Sequence, residues 1–308
     1  MTPGQGPRNL AQSVRARLVN YARVSGEESM RVLIRFANER FLYRLSRSPH
    51  RDRFILKGAT LFSVWADAPH RPTRDVDFLA SGDCTVEGIV PTFQAICETP
   101  VEEDGIVFPP ESVRAQERRD EETYPGLHVE LTAHLGTARI PLQIDLGFGD
   151  VVTPAAEEVE VPTLLDFPRP RLRAYPRETV VAEKLEALVS LGLSNSRMKD
   201  FYDLWYLTRY FAFRGPSLAA AIRATFARRG TVLPEAVPLA LSATFSGDPA
   251  KRMQWDGFLR RGGLSAGAPA LEEVIEALRG FLWLPLESLG TGKGFAQRWE
   301  PGGPWMVA

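Results

Sequence analysis

Two acids two residues apart, Asp75 and Asp77 in the run Asp75-Val76-Asp77-Phe78, follow the turn sequence Lys57-Gly58-Ala59-Thr60. In an extended segment residues i and i+2 point to the same face, so both carboxylates would share one side of a strand. Two acids held beside a Gly turn suit a hard divalent cation bound together with the phosphates of a nucleotide. Mg²⁺ takes oxygen ligands, typically one or two protein carboxylates plus substrate phosphates. The chemistry indicated is phosphoryl transfer from an NTP. A D-x-D is short, however, and a solvated pair of strand acids has the same spelling.

A third carboxylate, Asp145, interrupts the apolar run Leu142-Gln143-Ile144-Asp145-Leu146 at the end of a predicted strand. A charge there is costly unless paired or metal-bound, so Asp145 is a candidate third ligand for one or two Mg²⁺ ions, or the base for the acceptor hydroxyl. The ordinary alternative is an acid satisfied by the backbone of the Gly147–Gly149 loop. Lys184, Asp200 and Asp203 form another candidate group, with the two acids on one helix face at i, i+3. An ammonium there can neutralise triphosphate charge, although spacing alone favours a structural Lys–Asp pair bridging two helices.

Positioning these groups requires an ordered frame. Helices are predicted over 10–23 and 27–47, and a short buried strand at Phe54-Ile55-Leu56 ends at Gly58. A helix over 60–66 would aim its free N–H groups at the Gly turn, a natural phosphate cradle. A strand over 74–80 carries the two acids, and a helix over 86–97 follows. Strands over 112–119, 127–135 and 139–146 complete a mainly antiparallel sheet, with a hairpin at Gly136-Thr137 and acidic connections at Glu102–Glu103 and Asp120–Glu122. The Pro-rich stretch 151–173 is the expected domain boundary. Helices follow over 178–191, 200–211, 218–228, 234–243 and 271–282, and the Gly-rich final residues read as a loosely packed tail. The expected domains are 1–50, N-terminal helices; 51–168, catalytic; 169–290, helical; and 291–308, tail.

Composition and charge narrow the class. The 308-residue chain is 44% hydrophobic and 24% charged, as soluble globular proteins are. It has no apolar run of membrane-spanning length, and residues 1–10 lack the core of a signal peptide. The two cysteines read as free thiols and the four histidines show no zinc-ligand spacing, which makes the cytoplasm the expected location. The net charge of −1 conceals an uneven distribution. Residues 1–57 carry 12 Lys/Arg against 4 Asp/Glu, residues 58–168 carry 6 against 21, and residues 169–229 carry 12 against 5. An acidic centre flanked by basic segments suits a metal-dependent enzyme acting on a polyanion.

Taken in order, the G-x-T turn, D-V-D-F, Q-I-D, R-E-T-V-V-A-E-K-L and S-R-M-K-D-F-Y-D-L resemble the AbiEii/AbiGii toxin family of nucleotidyltransferases, from about Phe54 to Tyr210. The resemblance implies an α+β, polymerase-β-like nucleotidyltransferase domain followed by a helical domain that closes the cleft. It implies a Mg²⁺-dependent toxin of an abortive-infection or toxin–antitoxin system that uses an NTP, a cognate antitoxin, and the 3′ end of tRNA as a possible acceptor. In its terms Asp75 and Asp77 are the metal pair and Gly58, Ala59 and Thr60, with Lys57, the phosphate loop. Lys184 touches the nucleotide phosphates, and Asp200 is the essential acid of the helical motif. Relatives usually carry Gly-Gly or Gly-Ser at the turn, so Ala59 is a departure that would strain a backbone at positive φ. Two other functions compete: a nucleotidyltransferase acting on a small molecule, and a non-catalytic nucleotide-binding effector, which Ala59 would favour.

Overall fold

The computed structural model describes residues 7–66, 71–117 and 126–307. It divides into two compact units, Met1–Gly149 with Glu157–Ala174, and Asp150–Ala156 with Tyr175–Ala308. The division falls at 174/175 where the sequence places it at 168/169, because the Pro-rich stretch contains two strands that join the first unit. The expected connection Asp120–Glu122, and the end of the strand expected to reach Arg119, lie outside the described residues.

The first unit opens with helices α1 (Pro7–Ser25) and α2 (Ser29–Arg47), followed by strand β1 (Phe54–Lys57) and the short helix α3 (Thr60–Trp65). Next come β2 (Val76–Ala80), α4 (Val86–Cys97), β3 (Ile106–Val107), β4 (Arg114–Glu117), β5 (Gly126–Leu135) and β6 (Ala138–Phe148). The Pro-rich stretch contributes β7 (Glu157–Glu160) and β8 (Arg171–Ala174), which pair antiparallel. Both are short, charged and flanked by prolines, which hid them as strands. Among the described residues the sheet runs β3-β5-β6-β2-β1-β8-β7, with β4 also on β5. Two of its pairings, β2–β6 and β1–β8, are parallel and the rest antiparallel, as the sequence predicts.

Alternation along β5 and most of β6 gives the sheet one buried face, and β2 is buried at every position but Asp77. Val76, Phe78, Val129, Leu131, Ile144 and Leu146 are buried. Phe54 meets Phe78 at 5.6 Å and Phe93 of α4 at 5.7 Å, and Phe93 stacks on Phe41 of α2 at 5.6 Å. The hairpin between β5 and β6 turns at Gly136-Thr137, with Gly136 at φ +60° where a side chain would be strained. Part of the basic charge of residues 1–57 is internal. Arg40 and Arg44 reach the buried Asp104 at 2.9 and 2.8 Å, and these two guanidinium groups, against the cost of burial, hold its carboxyl below the usual range.

The second unit contains α5 (Arg177–Leu191), α6 (Met198–Tyr210), β9 (Phe213–Arg214), α7 (Gly215–Arg229), α8 (Ala243–Gly247), α9 (Pro249–Gly262), α10 (Leu271–Gly290), β10 (Gln297–Trp299) and β11 (Trp305–Val307). The helix expected over 234–243 is replaced by a single 3-10 turn at Leu239–Leu241. Pro238 would sit in its interior and cannot donate the i→i−4 hydrogen bond. Unforeseen was α9, which Asp248 caps by accepting from the Ala250 and Lys251 N–H groups and which ends at Gly263, φ +67°. The tail expected to be loose is packed. β9, β10 and β11 form a small sheet in which buried Trp299 and Trp305 flank Phe281 at 4.9 and 5.5 Å. Their indole N–H groups donate to Thr208 O and Phe281 O, each at 2.8 Å. Two indoles bury enough apolar area to hold a Gly-rich segment in place. No helix among the described residues is long and apolar enough to cross a membrane.

Candidate functional site

Strand register assembles the first-unit candidates into one line. Lys57 of β1 stands opposite Asp77 of β2, Asp77 opposite Asp145 of β6, and Asp145 opposite His128 of β5. Asp77, Asp145 and His128 are each flanked along their strands by buried apolar residues, and Lys57 follows buried Leu56, so all four side chains fall on the opposite face from those buried neighbours. The parallel β2–β6 pairing makes neighbours of two carboxylates 68 positions apart in sequence. Asp145 lies within β6, three residues before its end, and not at the strand terminus.

Asp75 sits differently from its expected place. β2 begins at Val76, so Asp75 immediately precedes the strand. β1 leaves the sheet at Gly58, opposite Val76, and the chain is helical from Thr60, so nothing extended remains beside Asp75 on that side. It remains two residues from Asp77 in sequence.

The turn after β1 has a stereochemical cause. Gly58 is at φ +74°, and a Cβ built there would lie 1.9 Å from Oδ2 of Asp77 and 2.6 Å from its Cγ. Only glycine permits both this backbone conformation and the approach of the Asp77 carboxylate over it. Ala59 is at φ −69°, ψ −22°, in the right-handed region, so its methyl adds no backbone strain. The departure from the usual family turn therefore carries no conformational penalty, and the feature that favoured a non-catalytic effector loses its physical basis. Lys57 crosses β2 to β6, where its Nζ is 3.3 Å from the place a Cβ on Gly147 would take.

His128 was not anticipated. Its Nδ1 is 2.7 Å from Oδ1 of Asp145, and its Nε2 is 3.4 Å from Oε1 of Glu130. An ionised carboxylate only accepts, so Nδ1 carries the hydrogen. Partial burial alone would lower the imidazole pKa. The hydrogen bond and charge of Asp145, with Glu130 adding to them, outweigh that and raise it. The only trace in the sequence is a lone histidine in an alternating strand. Its partner is 17 positions away, and the β5–β6 register is what joins them.

Among the described residues no three His, Cys, Asp or Glu side chains stand close enough to encage a metal ion by themselves. The donors present are hard carboxylate oxygens. They fit a Mg²⁺ ion that takes one or two protein carboxylates and completes its shell with phosphates and water, and they do not fit an all-protein cage. One oxygen of Asp145 is engaged by His128.

Within the second unit, Lys184 of α5 bridges to α6. Its Nζ lies 2.5 Å from Oδ1 of Asp200 and 2.9 Å from Oδ2 of Asp203, and Arg197 Nε is 3.0 Å from Oδ2 of Asp200. Both acids are fully buried. Burial raises the pKa of the Asp200 carboxyl, but Lys184 and Arg197 outweigh it, so the net shift is downward. This is the helix-bridging arrangement that spacing alone favours. A second ion cluster joins Arg229 of α7 to Asp150 at 3.2 Å and to Glu186 at 2.8 Å, which places that arginine inside the unit.

A family model described as "Nucleotidyl transferase AbiEii toxin, Type IV TA system" matches residues 40–277. Among curated proteins none matches the chain significantly. Two solved structures are similar, both from Helicobacter pylori. One, described as a nucleotidyltransferase candidate, is 14% identical over 82% of this chain and 89% of its own, with a TM-score of 0.43. The other, JHP933, is 15% identical over 82% and 87%, with a TM-score of 0.44. Likenesses this distant carry no further weight here.

Proposed function

The chain belongs to the AbiEii family of nucleotidyltransferase toxins, the toxin components of type IV toxin–antitoxin systems, and on that premise we propose that it transfers an NMP from an NTP, in the presence of Mg²⁺, to a hydroxyl at the 3′ end of tRNA. The observation that carries this reading is the line Lys57–Asp77–Asp145 across three adjacent strands, set beside the Gly58 turn. Family membership implies a cognate antitoxin as well as an NTP substrate.

Asp75 and Asp77 are proposed to hold the cation, with Asp145 beside Asp77 as the base for the acceptor hydroxyl. When bound, Mg²⁺ would neutralise triphosphate charge and favour departure of pyrophosphate. The Gly58–Thr60 turn, over which the Asp77 carboxylate lies, is proposed to seat the phosphates beside the cation. Lys57 brings an ammonium to the same face. His128 donates to Oδ1 of Asp145 and fixes the orientation of that carboxylate, which is proposed to take the proton of the acceptor hydroxyl. The hydroxyl oxygen attacks the α-phosphorus, the bond to pyrophosphate breaks in line, and the proton passes to Asp145. Most of the acceleration comes from positioning and charge neutralisation. Lys184 and Asp200 are proposed as a second requirement for activity, with the two buried acids of α6 holding the ammonium at one point within the second unit.

The test is incubation of the protein with total tRNA, Mg²⁺ and each α-³²P-labelled NTP in turn, beside Asp77→Ala. Label on tRNA from the parent alone is the expected result. Pyrophosphate release that is independent of RNA would instead favour a small-molecule acceptor. Label transferred equally by Asp77→Ala would refute the site.

A further inference from the structure

The end of α6 carries a run of tilted planar groups whose outer ring, Tyr210, is exposed, with Tyr206, Phe211 and Arg177 half-buried behind it. Tyr210 is 55% exposed, and its ring leans on that of Tyr206 at 4.5 Å. Tyr206 is 6.2 Å from Phe211, and the Arg177 guanidinium at the start of α5 covers the Phe211 ring at 4.9 Å. We propose that this stack, Tyr210–Tyr206–Phe211–Arg177, is a docking surface for a single-stranded stretch of RNA; the proposal rests on the RNA-acceptor reading above.

Charge complementarity supports this occupant. Between Asp203 and Glu235 the chain has no acidic residue but carries Arg209, Arg214, Arg223, Arg228 and Arg229. Arg229 is occupied internally, whereas Arg209 and Arg214 are exposed. Trp299 Nε1 and Gly302 N both donate to Thr208 O, which places the end of β10 beside the last turn of α6. There Arg298 stands directly opposite Arg214 in the strand pair, with Glu300 3.1 Å from Arg298 as its counter-charge. Like charges directly opposite destabilise a sheet, and a phosphate backbone would relieve that repulsion.

The aromatic faces decide between kinds of polyanion. A carboxylate chain could satisfy the arginines but has nothing to stack on a tyrosine ring, whereas every nucleobase has a π-face. A duplex keeps its base faces internal, so only unpaired nucleotides can use the stack.

The experiment measures binding of fluorescein-labelled single-stranded and duplex RNA of equal length to the full chain by anisotropy, without NTP or metal. The variants are Tyr210→Ala, Tyr210→Phe and Arg209→Ala. Loss of one stacked base weakens single-strand binding about tenfold or more. Tyr210→Ala is expected to show that loss with duplex binding unchanged, and Tyr210→Phe to bind as the parent does. Arg209→Ala should reduce the slope of log K against log salt by about 0.7. Parent-like binding by Tyr210→Ala overturns the proposal, as does poly-glutamate competing as well as RNA of equal charge. The two readings fail separately. RNA that binds at the stack but is never labelled contradicts the acceptor assignment, and labelled RNA with a silent Tyr210→Ala contradicts only the docking surface.

Discussion

Gly58→Ala probes the contact on which the candidate site rests. The new methyl would lie 1.9 Å from Asp77 Oδ2, and ordinary contact begins near 3.4 Å, so the carboxylate must retreat by 1.5 Å (3.4 − 1.9). A misplacement of about 1 Å in a reacting geometry costs about 10²-fold in rate. Stability suffers too. An alanine at φ +74° is strained by about 1–2 kcal/mol, and driving Asp77 off its rotamer adds about 1 kcal/mol. At about 2–4 °C per kcal/mol for units of this size, Tm should fall by about 4–12 °C. The assay is pyrophosphate release with Mg²⁺, NTP and tRNA, run beside thermal unfolding followed by circular dichroism. Ala59→Gly is the companion variant. Its φ of −69° makes no demand for glycine, so its activity should stay within about twofold of the parent. A Gly58→Ala variant with near-parental rate and Tm would refute the reasoning, and so would an equal loss in Ala59→Gly.

Further outcomes follow from three ionisable groups, Lys184 with its acids, Glu39 and His128. Lys184→Met removes the ammonium that two buried acids share, so stability should drop by about 3–5 kcal/mol in urea unfolding. The Asp200 carboxyl is depressed in the folded state, so its contribution is present above its unfolded pKa and lost as pH falls through the folded one; Lys184→Met should flatten that acid limb. Buried Glu39, which accepts the Leu164 N–H at 2.9 Å, is pushed up to about 7, so folding favours its protonated form and stability falls as pH rises from about 4.5 to 7. Glu39→Gln should raise Tm at pH 8 and leave it unchanged at pH 4.5; equal Tm values at pH 8 would contradict this. His128, raised by Asp145, contributes stability that is present below pH 6.5 and lost as pH rises through its folded pKa, and His128→Gln should remove that slope. NMR titration of the imidazole in Asp145→Asn should show its pKa falling.

Much of this protein follows from local rules that need no tertiary partner. Alternation marked the strands holding Asp77 and Asp145, helical periodicity marked α1, α2, α4 and α5, and a glycine at the β1–α3 turn marked where the backbone takes positive φ. Residue type alone set the donors as hard oxygens. Other features depended on pairings between distant segments. Parallel register placed Asp145 beside Asp77, and antiparallel register placed His128 beside Asp145, although nothing in its own neighbourhood distinguishes that histidine. Charge counts likewise say how many arginines a segment carries but not where they point. Asp104 and Asp150 drew Arg40, Arg44 and Arg229 into the interior, while Arg209 remained at the surface beside Tyr210. Even the tail depended on its partners: Trp299 and Trp305 order a glycine-rich segment only because Phe281 and two backbone carbonyls receive them. Local sequence sets backbone preference and side-chain chemistry, whereas register and burial are decided by which remote surfaces exclude water together.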